Sequence, residues 1–426
     1  MNSSPPAAVT TKPAAEKKNR RAIYLLFTAN AISLIGNQLT LIAIPWFVLE
    51  TTGSPVLTGL TAFFNIVPIV IAGFFGGTIV DRLGYKRMSI TADIASGLTV
   101  ILVPILFGLG LLPFWMLLVL VFLSALLDAP GSTARAALVP ELAEAAGMPL
   151  ERAGSLLQVV ERASRLIGAP LSGLLVAVMG AQNVLWLDGA TFAISAVMIA
   201  LLIPASQVAA PTKKQRYTAE LAEGLRFLRQ DRVLLIIVVT VMMTNFLDAA
   251  KGSVILPVYA NEVYGSAVAL GLMFGLSGGG AVVGALIYGA IGHKYSRRWV
   301  FVGAFIAVSL PIFVLAALPP LPVVLLAQLI SGIAAGPINP VLSTVEYERI
   351  PANMRGRVFG TITAGAWMAM PLGVLLGGYA VEIAGLVPAL LVVGGLYLLT
   401  TVSLAFNQGL KGMDERVGVA GVETTG

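Results

Sequence analysis

Twelve long apolar runs, separated by short polar breaks, dominate this chain of 426 residues. A helix needs about 20 apolar residues to cross the hydrocarbon core of a bilayer. The runs have about that length, and they cover residues 22–49, 56–80, 88–109, 114–138, 153–179, 184–203, 233–256, 268–291, 299–318, 323–344, 356–381 and 386–406. Charged residues make up 11% of the sequence, whereas soluble domains contain about 25%. The sequence therefore predicts an all-α membrane protein with twelve transmembrane helices.

A polar motif occurs twice, once in each half of the chain. Residues 77–87 read GTIVDRLGYKR, and a weaker copy, GAIGHKYSRR, starts 212 residues later at Gly289. Pro140 and Pro351, which follow the fourth and tenth runs, repeat this spacing to within one residue. A duplicated set of helices is typical of secondary transporters. We therefore predict two six-helix bundles related by pseudo-two-fold symmetry.

The longest internal polar interruption separates the two predicted bundles. Within it, Leu221, Leu225 and Leu228 recur at helical spacing, which predicts a short amphipathic helix on the inner membrane face. Both ends of the chain are polar and are expected to be flexible. The predicted parts are an N-terminal tail at 1–21, a first bundle at 22–203, a linker at 204–232, a second bundle at 233–406 and a C-terminal tail at 407–426.

The basic residues indicate the orientation in the membrane, because Lys and Arg accumulate in cytoplasmic loops. They fill the N-terminal tail and every second link, while the opposite links, around residues 50, 111, 180, 262, 320 and 385, contain neither type. Both termini are therefore predicted on the cytoplasmic side of the inner membrane. The net charge of +6 follows from this topology and does not indicate a nucleic-acid partner. The first run, at 28 residues, is too long for a signal peptide and is expected to remain as a helix.

Several kinds of chemistry lack the residues they need. The sequence has no cysteine and a single histidine, His293, which excludes disulfides, thiolate catalysis and metal sites built from cysteine or several histidines. It contains no Walker motif, so ATP is not the direct energy source. We expect no cofactor, no metal and no catalytic residue. An integral membrane enzyme is the alternative class, and the sequence offers it no nucleophile motif.

The first copy of the repeated motif resembles the loop signature that joins the second and third helices in the major facilitator superfamily. The matching residues are Gly77, Asp81, Arg82, Gly84, Lys86 and Arg87. The resemblance implies the major facilitator fold and a cytoplasmic gate, in which this loop closes against the eleventh helix near Arg355 and Arg357. The alternative is that Arg82, Lys86 and Arg87 only fix the orientation of the chain in the membrane. The second copy has His293 in place of the aspartate, which puts an equivalent contact in doubt.

Three further stretches, residues 32–36, 52–55 and 354–358, are similar to the efflux branch of that superfamily, which includes macrolide, multidrug and siderophore exporters. Residues 168–173 partly resemble the glycine-proline motif of exporters, although close helix packing would also explain them. With this resemblance we predict a carrier that exports amphiphilic, cationic or neutral organic compounds, such as drugs or antibiotics, from the cytoplasm in exchange for protons by alternating access. We expect it to be a monomer.

Two other substrates fit the same fold. A lipid or lysolipid carrier would use a laterally open apolar groove. A siderophore or natural-product exporter would recognise acidic or catechol ligands, and would therefore place Arg162, Arg165 or Lys251 in its cavity. The sequence leaves these alternatives open.

Four carboxylates at membrane depth are candidates for carrying the exchanged proton: Asp128, Glu161, Asp188 and Asp248. Each costs about 2.5–3.5 kcal/mol to place at the centre of a membrane helix, so its presence requires a reason. Asp128 shares a helix face with Arg135, Glu161 is spaced to pair with Arg165, and Asp248 with Lys251. Permanent ion pairs would explain these spacings without proton transfer. Asp188 has no basic neighbour in its own helix, and hydration near the outer surface would explain it equally well.

Polar helix faces are the candidates for lining a substrate cavity. Asn30, Ser33 and Asn37 share one face of the first helix, and Asn245 lies near Asp248 in the seventh. Beside them, a broad apolar cavity would suit an amphiphilic substrate, and the aromatic candidates for its wall are Phe64, Phe246 and Trp367. Aromatic side chains that face lipid or neighbouring helices are the alternative interpretation.

Overall fold

The computed structural model describes residues 20–204 and 217–415, without the side chains of residues 73–82 and 217–220. Twelve helices within these residues are long and apolar enough to cross a membrane. Numbered as spans 1–12, they are Arg21–Thr52, Pro55–Ala72, Tyr85–Gly108, Phe114–Ala146, Leu150–Met179, Ala181–Leu202, Arg232–Tyr264, Ala267–Lys294, Arg297–Ala316, Leu321–Arg349, Arg355–Ala384 and Leu386–Phe406. The helix of span 2 continues to Leu83. The predicted all-α membrane fold is confirmed.

The spans pack as two groups of six. In the first group, span 2 packs on span 4, span 3 on spans 4 and 6, and span 1 on span 5. The second group repeats these contacts: span 8 packs on span 10, span 9 on spans 10 and 12, and span 7 on span 11. These four contacts thus recur with both numbers raised by six, as pseudo-two-fold symmetry requires. The two bundles meet along spans 2 and 11 and along spans 5 and 8.

Short links make successive spans run in opposite directions. Span 1 begins, and span 12 ends, at the same end of the molecule. We call this end the terminal face and the opposite end the far face. At the far face, two of the links consist of one residue: Gly180 joins spans 5 and 6, and Gly385 joins spans 11 and 12. Their φ angles are 83° and 88°. Glycine adopts this left-handed conformation without strain, so these two residues permit the tightest reversals.

Close backbone contacts join the bundles toward the far face. A Cβ atom at Gly173 of span 5 would stand 2.5 Å from the carbonyl oxygen of Ala267 in span 8. A Cβ atom at Gly59 of span 2 would stand 2.6 Å from the carbonyl oxygen of Val374 in span 11. Since neither position has room for a side chain, the helix backbones touch, and the far side of the interface is closed.

A carboxylate reinforces this closure at the far end of span 11. Glu382 Oε2 accepts hydrogen bonds from Ser54 Oγ at 2.6 Å and from the backbone N–H of Val56 at 2.8 Å. Both donors lie at the N-terminus of span 2, where the helix dipole favours a negative charge. Glu382 therefore holds the two bundles together across the far face.

Three spans of the second bundle are interrupted. Span 7 contains a π-helical turn, Lys251–Ile255, between two α-helices. Span 10 is divided into Leu321–Ala335 and Ile338–Arg349, and span 11 into Arg355–Met368 and Met370–Ala384. Proline, which lacks a backbone donor, stands at both α-helical breaks, as Pro337 and Pro371. Because π-helical turns occur frequently at functional sites, span 7 is a candidate location for such a site.

The linker forms the expected helix, Tyr217–Gln230, and this helix contacts span 11. A Cβ atom at Gly224 would lie within van der Waals distance of the Thr361 side chain, and Arg357 Nη1 donates to Glu223 Oε2 at 2.7 Å. Leu228 is buried, whereas Leu225 is 40% exposed. The linker helix is therefore attached to the second bundle through one edge of its leucine stripe.

The segment after span 12 is ordered up to residue 415, in contrast to the flexible tail predicted from its polarity. A 3-10 helix, Gln408–Met413, buries Leu410 and Met413 completely. Arg349 donates to the backbone carbonyl of Gly412, and Asp414 accepts a hydrogen bond from Ser296 Oγ at 2.6 Å. The prediction failed because two apolar side chains and a few specific hydrogen bonds are enough to fix a short segment.

Replacing Gly173 by alanine should destabilise the protein, because the new Cβ would force the backbones of spans 5 and 8 apart. Overpacking of this kind costs about 1–3 kcal/mol, and we expect a lower melting temperature in detergent. Gly395, whose Cβ would meet nothing within 4 Å, is the matched control, and Gly395→Ala should not lower the melting temperature. Equal melting temperatures for both variants would contradict the close contact.

Candidate functional site

A buried arginine organises the interior of the first bundle. Arg135 of span 4 is 1% exposed. Its Nη1 donates to Asp93 Oδ1 of span 3 at 2.6 Å, and its Nε donates to Asn30 Oδ1 of span 1 at 3.0 Å. Asp93 is fully buried and accepts a second hydrogen bond, from Ser195 Oγ of span 6 at 2.7 Å. Four helices are thus joined by one charged cluster.

A second carboxylate approaches the same guanidinium. Asp128 Oδ1 lies 3.6 Å from Arg135 Nη2, and both atoms lack a hydrogen-bond partner within the part of the chain that the structure describes. The other oxygen of Asp128 accepts from Asn37 Nδ2 at 2.9 Å. The predicted proximity of Asp128 and Arg135 is confirmed. The arginine is bonded tightly to Asp93 and loosely to Asp128, so its two carboxylates are not equivalent.

Asp93 was not among the carboxylates singled out from the sequence. Like the other candidates, it is a charged residue within an apolar run, the predicted helix 88–109. Its spacing gave no indication of a partner, because Arg135 lies 42 residues away in the chain. Only the packing of span 3 on span 4 brings the two charges together.

Asp188 of span 6 is 1% exposed, which rules out the alternative that it is hydrated at a membrane surface. It accepts hydrogen bonds from the hydroxyls of Thr40 and Thr191. No cation pairs with it among the described side chains. Asp188 and Asp128 both line a cavity of about 260 Å³ that also contacts Asn37 and Asn65. The structure therefore places two of the four predicted proton-coupling residues at one polar cavity.

The other two candidates lie elsewhere. Glu161 does not form the ion pair expected with Arg165; neither side chain has a partner in the described structure, and both line a larger cavity, of about 510 Å³, between the bundles. The helical spacing was correct, but long side chains on one face need not point toward each other when a cavity is beside them.

Asp248 pairs with Lys251 as predicted, at 2.7 Å. The hydroxyl of Tyr397 in span 12 donates to the other carboxylate oxygen at 3.3 Å. Lys251 begins the π-helical turn of span 7. This ion pair therefore lies inside the second bundle, apart from the cavity of Asp128 and Asp188.

The predicted cavity residues are distributed over several environments. Asn37 lines the cavity of Asp128, but Asn30 is held by Arg135 and Ser33 is fully buried, so two of the three polar residues of span 1 face the interior of the bundle. The cause is the tight packing of span 1 against spans 5 and 6. Asn245 donates to the carbonyl of Ala366 at 3.0 Å.

The aromatic candidates are not among the residues that line the main cavities. Phe64 packs on Phe63 and Phe122, Phe246 contacts span 11 through its backbone at Gly373, and Trp367 is 44% exposed. A third cavity, of about 250 Å³, is instead lined by side chains of spans 1, 2, 7, 8 and 11, among them Ile44, Pro45, Ile66, Phe274 and Met370. Its wall is mostly apolar, as an amphiphilic substrate requires.

The gate motif is only partly described. Gly77, Asp81 and Arg82 lie in the helix that ends at Leu83, and their side chains fall outside the described residues. The clasp that the resemblance implies therefore stays a prediction. Gly84 has a φ of 79° and starts span 3.

The basic residues of the motif have different surroundings. Lys86 Nζ donates to the carbonyls of Ala200 and Ile203 at 2.9 and 2.6 Å, and so caps the end of span 6, while Arg87 is exposed. Arg355 donates to the carbonyls of Tyr347 and Ile350. Lys86 thus has a structural contact in addition to any effect on topology.

Comparison with known proteins decides the family. The sequence profile of the Major Facilitator Superfamily matches residues 26–280 and 241–411. The chain belongs to the major facilitator superfamily. Multidrug efflux pump Tap of Mycolicibacterium fortuitum is 32% identical over 401 residues, which cover 93% of this chain and 98% of that protein. Macrolide efflux protein A of Streptococcus pyogenes is 23% identical over 360 residues, covering 83% of this chain and 87% of that protein.

Solved structures support the fold of this superfamily member. The nucleoside transporter NupG superimposes with a TM-score of 0.76 at 14% identity, over 90% of this chain and 98% of NupG. Identity this low supports the arrangement of helices and carries no information on substrate. The two relatives found by sequence similarity, in contrast, are a multidrug efflux pump and a macrolide efflux protein.

Replacing Asp93 by leucine should strongly destabilise the protein, because Arg135 would stay buried without its main counter-ion. Removing one partner of a buried pair costs about 3–5 kcal/mol. We expect little monodisperse protein in detergent and a large loss of melting temperature. Ser195→Ala, which removes one neutral hydrogen bond from Asp93, should have a small effect.

The double variant Asp93→Leu/Arg135→Met provides the complementary test. Exchange of a whole buried ion pair for apolar side chains is often neutral in stability, so the double variant should recover the melting temperature that Asp93→Leu loses. A single variant as stable as the original protein would show that the pair does not hold the bundle together.

Proposed function

We propose that this protein exports drug-like amphiphilic compounds from the cytoplasm in exchange for protons. The observation that carries the proposal is the pair of carboxylates at one arginine, of which one is fully buried and the other lines a cavity. Asp93 is fully buried, whereas Asp128 is 20% exposed and lines the cavity of Asp188. The named relatives, both efflux proteins, support the direction and the class of substrate.

The arrangement suggests how a proton would act. A proton that arrives through the cavity and binds Asp128 removes the charge facing Arg135 Nη2, and the arginine then depends on Asp93 alone. Loss of the proton restores the second attraction, at the present distance of 3.6 Å. Arg135 joins spans 1, 3 and 4, so this change would alter how the helices of the first bundle hold together. Asp188, with which no described cation pairs, is the second group of the cavity able to take up the proton.

The shape of the interface supports alternating access. The bundles touch toward the far face through Gly59 and Gly173, whereas the cavity of about 510 Å³ is lined by residues nearer the middle of the spans, such as Gln38 and Arg165. With the orientation predicted from the Lys and Arg distribution, the terminal face is cytoplasmic, and this shape would receive substrate from inside the cell. Inward movement of each proton yields about 2.3 kcal/mol per 100 mV of membrane potential, which can drive the return step.

A second candidate, export of an acidic natural product such as a siderophore, is favoured by one observation. Arg162 and Arg165 line the larger cavity, as that alternative requires. Lys251, the third basic candidate, is paired with Asp248 instead. The acidic cavity next to the arginines disfavours a ligand whose charges are all negative. For the lipid carrier no comparable observation exists in the described structure.

Substituting Asp128 or Asp188 by asparagine should reduce proton-driven efflux at least tenfold, because an amide cannot exchange the proton. The assay measures accumulation of fluorescent drugs in cells that lack their own efflux pumps, with and without a protonophore. Glu144→Gln, on the exposed end of the same helix as Asp128, should leave efflux intact. Exchange of labelled for unlabelled substrate in liposomes, which requires no net proton movement, should continue in both Asp variants.

Two results of this assay would reject the coupling assignment. One is full protonophore-sensitive efflux by the Asp128→Asn/Asp188→Asn double variant. The other is full coupled efflux by Asp93→Leu/Arg135→Met, which would show that the arginine cluster has a structural role alone.

Replacing Glu382 by alanine should open the far face more often, because span 11 loses two hydrogen bonds to span 2. Spin labels attached at Leu111→Cys and Val323→Cys would report the distance between the bundles, and no native cysteine interferes. We expect a larger population at long distance in Glu382→Ala. Glu262→Ala, an exposed glutamate at the same face, is the control and should not change the distribution. Identical distributions in all three proteins would contradict the role of Glu382.

A further inference from the structure

The larger cavity between the bundles carries three charges that no described side chain neutralises. Glu161, Arg162 and Arg165 of span 5 all line this space of about 510 Å³. In the part of the chain that the structure describes, none of the three takes part in an ion pair or a hydrogen bond. Their sum is one positive charge, exposed to whatever fills the cavity.

The two arginines are placed to act on one ligand. Residues three apart on a helix lie on the same face, with Cβ atoms about 5–6 Å apart. Gln158 of span 5, Gln38 of span 1 and Asn339 of span 10 add amide groups to the walls around them. Guanidinium groups bind carboxylate and phosphate with paired hydrogen bonds, and the amides supply uncharged donors. The wall is therefore suited to an anionic group of a ligand.

Topology does not explain these arginines. The rule that retains basic residues in the cytoplasm concerns loops and the ends of helices. Arg165 lies 15 residues after Leu150, where span 5 begins, or about 22 Å along the helix. Its position is close to Gly168, whose Cβ would contact Gln38 near the middle of span 1. A charge at this depth without a counter-ion is costly unless it has a function.

Groups of the opposite sign occupy the neighbouring cavity. Asp128 and Asp188 line the space of about 260 Å³, and this space shares Gln38 and Leu41 with the larger cavity. Arg135 approaches Asp128 from inside the bundle, and no described cation pairs with Asp188. The apolar third cavity shares Leu41 and Phe274 with the larger cavity. The three adjacent cavities thus provide a basic end, an acidic end and an apolar wall.

Resting on the proposed function, we propose that the substrate is a zwitterionic amphiphile. Its anionic group binds Arg162 and Arg165, its cationic group lies toward Asp188 and Asp128, and its apolar body contacts the wall around Phe274. A ligand with cationic charge alone would meet the uncompensated arginines, and one with anionic charge alone would meet the aspartates. The arginine pair thus determines specificity for an acidic group.

The test compares two dyes that share one cationic ring system. Tetramethylrhodamine carries a carboxylate, and its methyl ester lacks that negative charge. Binding to the purified full chain is measured by fluorescence anisotropy, which needs neither protons nor transport. We expect the acid to bind about tenfold more tightly than the ester. Arg162→Gln/Arg165→Gln should remove this preference, because the acid then binds more weakly and the cationic ester no longer meets the two arginines.

Matched variants separate a binding role from a structural one. Arg162→Lys/Arg165→Lys keeps both charges and should retain part of the preference for the acid. Lys251→Gln removes a cation from outside these cavities and should leave the preference unchanged. Asp188→Asn should weaken both dyes, because they share the cationic ring. Melting temperatures confirm that each variant is folded before its affinities are compared.

Equal affinity of the original protein for the two dyes would overturn the proposal, as would a glutamine double variant that loses affinity for both dyes equally. These outcomes are distinguishable from failure of the proposed antiport. Acid preference without protonophore-sensitive efflux would keep the substrate class and reject proton coupling. Efflux without acid preference would reject the zwitterion and keep the transporter.

Discussion

Neutralisation of charge inside an apolar interior is the constraint that the rest of this structure depends on. A membrane protein can keep an ionised side chain among its helices where an opposite charge or several hydrogen bonds compensate it. Arg135 with Asp93, and Asp248 with Lys251, satisfy this requirement within one bundle each. Among the described side chains, Arg162 and Arg165 have neither, and Asp188 has hydrogen bonds from Thr40 and Thr191 but no cation; these three residues line cavities. Compensated charges therefore belong to the packing within each bundle, and the charges without a counter-ion are the ones that we propose act on a proton or a ligand.

The two bundles share a packing pattern but differ in what they contain. The first bundle holds the buried arginine cluster and its acidic cavity, while the second contains the interrupted spans 7, 10 and 11. The linker helix and the ordered segment after span 12 both contact the second bundle, through Glu223 and Leu410 among others. Movement of one bundle against the other would therefore carry these two elements of the terminal face with the second bundle. The repeated motif is stronger in the first half of the sequence, in keeping with this division of roles.

Much of the fold could be predicted because the bilayer imposes a simple rule on sequence. Twelve apolar runs gave twelve spans, and the offset of the repeated motif gave two bundles. The candidate site was predicted less completely. Asp128, Asp188 and Asp248 are recognisable from a charge within an apolar run, and the partners of Asp128 and Asp248 from helical spacing. Asp93 escaped notice, because its partner is distant in the chain. Local spacing was also misleading for Glu161 and Arg165, which face a cavity and not each other.

By itself the sequence determined the class of protein, the number of spans, their division into halves and the family, since these depend on length, polarity and short motifs along the chain. Tertiary structure alone decided which polar side chains meet. Asn30 contacts Arg135 across 105 residues, and Thr40 contacts Asp188 across 148. The physical reason is that such contacts depend on the rotation of each helix about its axis. That rotation is set by close packing against several neighbours at once, which no single stretch of sequence contains.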